Sequence, residues 1–287
     1  MSNFNSYFTP IGSIHLHHLE WAGQDNLPPV IFLPGFIANA YGALKLAQAV
    51  SPPLRVLALD LRGRGQSDKP EGTYGIDRHL DDLQQWLSGQ GITRFILAGH
   101  SFGAAVALFF VHHFPHMVEK LILLDGGTPP SELVWQLFDA YHRNLTYEYE
   151  SVEAYLAPYR QLPTLQPWTD AAEMLVCANV QETPQGKAVR VVPRYVVESE
   201  LDALDMEQWR SLHDLYPDID IPVLLIRAGM GSFSREDRHI NDDTAAMMQA
   251  GFPDLTIFDM PDSGHTGILT VDSPARDAIL RQFLDIA

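Results

Sequence analysis

The sequence predicts an α/β fold: a mostly parallel central sheet, covered by helices on both faces and interrupted by a helical insertion. Three observations predict it. Short apolar runs bounded by Gly, Pro and Asp alternate with helix-period segments through the first half of the chain and again near its end. The runs are apolar throughout rather than every second residue, which is how strands buried on both faces read. Finally, the alternation stops over residues 129–220 and then resumes.

Taken in order, SIHLHHLEW at 13–21 alternates and is expected to pair antiparallel at the edge of the sheet. PVIFLPG at 29–35 reads as a buried strand and YGALKLAQAV after it as a helix; LRVLALD at 54–60 is a further strand. In IDRHLDDLQQWL, residues Ile76, Leu80, Leu83 and Leu87 share one helical face. RFILAG at 94–99 is a strand, SFGAAVALFFVHHF a helix, and KLILLD at 120–125 a strand. Segment 129–220 holds Pro-punctuated amphipathic stretches, SELVWQLFDAYH and LDALDMEQWRSL among them, and no convincing buried strand. PVLLIRAG at 222–229, a helix around 240–250, LTIFDM at 255–260 and a helix within 274–285 complete the pattern. The expected organisation is a core of 1–128 and 221–287 with a helical cap at 129–220.

Composition excludes several function classes. The 287 residues are 46% hydrophobic and 19% charged, enough for a large core and unlike a disordered chain. A single cysteine, Cys177, leaves no intramolecular disulfide framework or thiolate metal cluster. A net charge of −17 argues against a sequence-independent nucleic-acid binder and against electrostatic attachment to anionic membranes. The first residues lack a basic stretch followed by an apolar run, and no run approaches the roughly 20 apolar residues of a membrane helix. A cytoplasmic location, with a small molecule as partner, is the expectation; oligomeric state is not legible.

The strongest chemical signal is GHSFG at 99–103, where a strand turns into a helix. A serine there sits on a strained turn with its hydroxyl pushed out at the C-terminal edge of the sheet. The turn needs minimal side chains two residues either side, which Gly99 and Gly103 supply. Ser101 is therefore the candidate nucleophile. GRGQS at 63–67 does not complete a dinucleotide fingerprint, and no P-loop lysine follows. His15 and His17 share a strand face without further ligands, so neither a metal nor an organic cofactor is expected.

FLPGF at 32–36, LDLRGRGQSDKP at 59–70, GHSFG at 99–103 and DSGH at 262–265 together resemble the α/β-hydrolase superfamily, in its order and spacing across nearly the whole chain. The resemblance implies a catalytic triad. His265, in the loop after the last strand, would be the base that a serine needs to become a good nucleophile. The acid is implied at Asp237, 28 residues before His265 in a SREDR turn, although it lies further from Gly229 than is usual in the family. Asp125, closing the sixth strand, and Glu236 are the alternatives. Oxyanion donors are implied at the backbone N–H groups of Phe36 and Phe102. Pro34 stands where the family usually has histidine, which is expected to loosen that loop.

The function implied is a serine hydrolase acting on a small or medium apolar ester or lactone. A carbon–carbon bond hydrolase of vinylogous diketones, a cofactor-free lyase or a perhydrolase would use the same triad. Epoxide hydrolases and haloalkane dehalogenases place an aspartate where Ser101 stands. A different-class alternative is a ligand-binding signalling protein with little turnover. Residues 131–220 carry 16 acidic and 6 basic residues, net −10, so most of the negative charge belongs to the expected cap. A strongly anionic substrate would meet repulsion there unless those carboxylates face outward. The aromatic residues crowding the first half of the segment, from Trp135 to Trp168, are expected chiefly to form its own core.

Overall fold

The computed structural model describes residues 3–204 and 206–286. The first half of the chain forms β1 (Asn5–Ile11), β2 (Ile14–Trp21), β3 (Val30–Leu33), α1 (Leu44–Val50), β4 (Val56–Leu59), α2 (Ile76–Gln90), β5 (Phe95–His100), α3 (Phe102–His113) and β6 (Val118–Leu124). The inserted segment forms α4 (Glu132–Arg143), β7 (Glu148–Tyr149), α5 (Val152–Tyr159), α6 (Asp170–Cys177), β8 (Val180–Glu182), β9 (Ala188–Arg190), α7 (Arg194–Ala203), α8 (Met206–Arg210) and α9 (Leu212–Leu215). The chain then completes the core with β10 (Val223–Ala228), α10 (Asp242–Gly251), β11 (Leu255–Met260), α11 (Gly267–Thr270) and α12 (Pro274–Phe283).

Eight strands make one sheet in the order β1-β2-β4-β3-β5-β6-β10-β11. The six from β4 to β11 run parallel, and the β1-β2 hairpin adds antiparallel to β4. β2 is antiparallel as its alternation predicts, but it lies one strand inside the edge. The edge strand is β1, whose residues are largely exposed and so carry no apolar alternation to betray it.

The parallel strands divide their side chains between two cores with a period of two. Ile31, Leu57, Leu97, Leu123 and Leu225 face one side, against α2, α3 and α10. Phe32, Ala58, Ala98, Ile122 and Ile226 face the other, against α1, α11 and α12. The four α2 residues Ile76, Leu80, Leu83 and Leu87 are all buried, on the side that their spacing selects.

The inserted segment departs from the all-helical expectation. A small antiparallel sheet, β7-β9-β8, lies within it, its strands only two or three residues long and so below what periodicity reveals. Tyr155, Leu156, Val176, Val180 and Ala188 form a core of its own, as expected of its aromatic run. Its last third does not stand apart: Val196, Val197, Leu201, Leu212 and Tyr216 pack into the main core. The stretch around 201–212 is broken into the end of α7, then α8 and α9, instead of one helix.

Candidate active site

Ser101 occupies the turn between β5 and α3 with φ 54° and ψ −117°, a left-handed conformation that side chains rarely adopt. Sequence and packing both force it. A Cβ on Gly99 would lie 2.3 Å from the Gly103 carbonyl oxygen, and one on Gly103 would lie 2.3 Å from that of Leu33. The two glycines let strand and helix close on each other, and the serine is carried out at the top.

The loop after β3 meets this turn. The Phe36 and Phe102 rings make an edge contact at 5.6 Å, so the two expected oxyanion residues are neighbours. Among the described residues, neither backbone N–H has an acceptor. Phe102 begins α3, where an unpaired N–H also carries the positive end of the helix dipole. The missing histidine does not leave the loop loose. The Arg64 guanidinium donates to the Phe36 carbonyl at 2.8 Å and stands over both phenylalanine rings. Arg64 in turn pairs with Glu200 of α7 at 2.7 Å, and both are fully buried.

His265 lies in the loop after β11. Its Nδ1 hydrogen-bonds Asp125 Oδ2 at 2.7 Å, both side chains being buried. Asp125 is held rigidly just past β6: its Oδ1 accepts from Ala228 N at 3.0 Å, its own N–H donates to Ile226, and its φ is 45°. The structure thus brings Asp125, the alternative, to His265, and not the expected Asp237. Asp237 instead closes its own turn, Oδ2 accepting from Phe233 N and Oδ1 from both Ser234 N and the Ser234 hydroxyl. Partial burial opposes its ionisation, yet those hydrogen bonds hold its carboxyl below the usual range. Glu236 is exposed. Burial holds the His265 imidazole below its ordinary value and raises the Asp125 carboxyl, since each would rather be neutral out of water.

The chain matches the model of the alpha/beta hydrolase family over residues 30–277. The chain belongs to that family. Among curated proteins it is 32% identical to epoxide hydrolase 3 of Mus musculus over 131 residues, 45% of this chain and 35% of that protein. It is 29% identical to epoxide hydrolase 1 of Caenorhabditis elegans over 133 residues, 46% of this chain and 33% of that protein. The matches thus span about a third of those relatives. Among solved structures, an alpha/beta hydrolase from Novosphingobium aromaticivorans superposes with a TM-score of 0.80 at 23% identity, over 99% of both chains. E-2-(acetamidomethylene)succinate hydrolase gives 0.79 at 23% identity, over 99% of this chain and 100% of that one. Both show the same fold.

Ser101, His265 and Phe36 open onto one cavity of about 200 Å³. Its walls are mainly apolar and come largely from the inserted segment: Val134 and Phe138 of α4, Tyr155 and Tyr159 of α5, Leu175 and Val176 of α6. So part of the aromatic run faces the cavity while also forming the segment's core. The segment grips the histidine loop directly. Thr164 sits so close that a Cβ on Gly264 would lie 2.4 Å from its carbonyl oxygen, and its hydroxyl donates to Ser232.

Two further histidines flank the His265 ring. His239 stacks face to face on the His265 ring, 3.7 Å between centroids and 4° between planes. On another side His100 lies 4.6 Å away, and its Nε2 donates to the His265 carbonyl at 2.9 Å. Burial, reinforced by His265 nearby, lowers both to about 3, so each is a neutral ring against the base. His100 stands in the GHSFG motif beside Ser101, whereas nothing in the spacing marks out His239. The other paired histidines serve structure: His17 is buried on Asp60 at 2.7 Å, and His15 is exposed beside Asp68. Among the described residues no group of three or more His, Cys, Asp or Glu could hold a metal ion, and no helix is long and apolar enough to cross a membrane.

Proposed function

We propose that this hydrolase is a serine hydrolase that cleaves a small or medium carboxylic ester or lactone with a largely apolar body, through an acyl-enzyme on Ser101. The observation that carries the reading is the buried 2.7 Å bond from His265 to Asp125, in a site whose cavity is also lined by a serine on a strained strand-to-helix turn.

Ser101 attacks the substrate carbonyl while His265 Nε2 takes the hydroxyl proton. Asp125, fixed by Ala228, holds the other nitrogen in its N–H form and stabilises the imidazolium that appears. The negative charge moves onto the carbonyl oxygen, where the Phe36 and Phe102 N–H groups receive it, at roughly 10²–10³ in rate for each donor. His265 returns the proton to the departing alcohol. Water, deprotonated by the same imidazole, then releases the acid and restores Ser101. Segment 129–220 acts as the cap that closes the apolar cavity over this chemistry.

The SREDR turn and its 28-residue interval to His265 suit a carbon–carbon hydrolase, a support that weakens with Asp237 engaged in its own turn. Epoxide opening by a carboxylate nucleophile has no carboxylate at the elbow, where Ser101 stands.

The test compares two variants in 4-nitrophenyl ester hydrolysis. Asp125→Asn removes the carboxylate that sets the imidazole tautomer and is expected to lower kcat by about 10³–10⁴. Asp237→Asn is expected to cost less than about tenfold, since the amide keeps an acceptor oxygen for its turn. The reverse ranking would overturn the assignment.

A further inference from the structure

The cavity wall opposite in character to the apolar lining is a cluster of phenols. Tyr141, Tyr155 and Tyr159 all line it, and the Tyr155 and Tyr159 rings lie 5.1 Å apart. One residue behind stands Arg190, at the end of β9. Its Nη2 donates to Tyr159 at 3.3 Å and Tyr149 at 3.0 Å, its Nε to the Thr146 carbonyl at 2.8 Å, and its guanidinium lies over the Tyr155 ring at 5.1 Å. Every one of these partners is neutral.

A guanidinium stays charged, and taking it from water without an anion is costly. Among the described residues Arg190 forms no ion pair with a carboxylate, in a segment rich in them. Those carboxylates face elsewhere: Glu148, Glu150, Glu153 and Glu182 are exposed, Glu200 is committed to Arg64 and His79, and none lines the cavity. The repulsion anticipated from the segment's charge is therefore directed at solvent. The sole carboxylate on the cavity wall, Asp237, is occupied by Phe233 and Ser234. The charged group in contact with the Tyr159 hydroxyl is the Arg190 guanidinium, at 3.3 Å.

Resting on the serine-hydrolase reading and sharpening its substrate, we propose that Tyr159, with Tyr141 beside it and Arg190 behind, is a carboxylate subsite. The natural acyl substrate then carries a carboxylate remote from the scissile carbonyl. The Tyr159 hydroxyl donates to that carboxylate and accepts from Arg190, so the half-buried cation gains a counter-charge through one phenol. The apolar walls take the chain between the two carbonyl carbons.

The experiment measures kcat/KM for 4-nitrophenyl hydrogen succinate, glutarate and adipate against the butanoate, pentanoate and hexanoate esters. The wild-type protein is expected to favour at least one acidic ester over its neutral partner by tenfold or more, mainly in KM. Arg190→Met is expected to bring that ratio to about one, Tyr159→Phe to reduce it, and Arg190→Lys to keep part of it. Should Arg190→Met not fold, the other two variants carry the comparison. A wild-type ratio at or below one for all three pairs would overturn the proposal. So would a ratio unchanged in Tyr159→Phe and in whichever Arg190 variants fold, or a protein that reacts with a fluorophosphonate at Ser101 but turns over none of the acidic esters. Absence of that fluorophosphonate reaction in the wild-type protein would instead bring down the underlying serine-hydrolase reading.

Discussion

A carboxylate becomes a triad acid by having oxygens to spare for a histidine, and that is decided by the backbone around it. Asp237 sits at the expected interval from His265, yet the turn it closes takes up both its oxygens. Asp125 gives one oxygen to Ala228 and keeps the other for His265. The rate contrast between Asp125→Asn and Asp237→Asn follows from this difference in commitment rather than from distance along the chain. A local sign of it stands in the sequence: Asp125 is followed by Gly126 and Gly127 at the end of a strand. A Cβ on Gly126 would lie 2.7 Å from the Ser101 carbonyl oxygen, so that glycine lets the acid loop close against the nucleophile turn. Ser101 and His265, which line one cavity, are each marked in the sequence by local motif and place. His239 is brought against His265 by tertiary packing, while His100 adjoins Ser101 in the GHSFG turn.

At the level of elements, what could be read were those with a periodic face or a special turn. The parallel strands and α2 announced themselves through burial on one or both sides. β1 escaped because an exposed edge strand needs no apolar pattern, and the β7-β9-β8 sheet because its strands are too short to have a period. The best-defined element junction is the β5-to-α3 turn, and it yields a stability prediction. Gly103→Ala would drive a Cβ to 2.3 Å from the Leu33 oxygen and 2.6 Å from the Pro34 oxygen. A loss of about 1–3 kcal/mol is expected, with the β3 loop displaced and activity falling with it. Gly89→Ala, within α2 and with only a Thr9 methyl 3.8 Å away, is the contrast: it should be neutral or stabilising by up to about 1 kcal/mol. Urea unfolding midpoints of the two variants check the pair, and equal effects would contradict the packing argument.

Across the whole molecule, the charge that first suggested repulsion of anions sits mostly on the outer surface, while the interior stores neutral histidines. Burial lowers His18 and His142 to about 4 and His100 and His239 to about 3. In the unfolded chain such imidazoles protonate near 6.5, so between that pH and their folded values the unfolded state binds more protons. Stability is therefore full above pH 7 and lost as pH falls from 6.5 toward 4, at about 1.4 kcal/mol per pH unit for each histidine. Glu200, which burial would raise but Arg64 and His79 hold down at about 2, adds a further loss below its ordinary 4.5. Thermal melts from pH 8 to pH 4 should show a plateau and then a steep decline; a flat profile through pH 5 would contradict it. Every step of the proposed chemistry passes through the Ser101 hydroxyl. Intact-mass and peptide analysis after exposure to a fluorophosphonate tests it most directly. A single adduct on the peptide containing Ser101, absent in Ser101→Ala and strongly slowed in Asp125→Asn, is the predicted result. No adduct on the folded wild-type protein, or one that persists in Ser101→Ala, would contradict it.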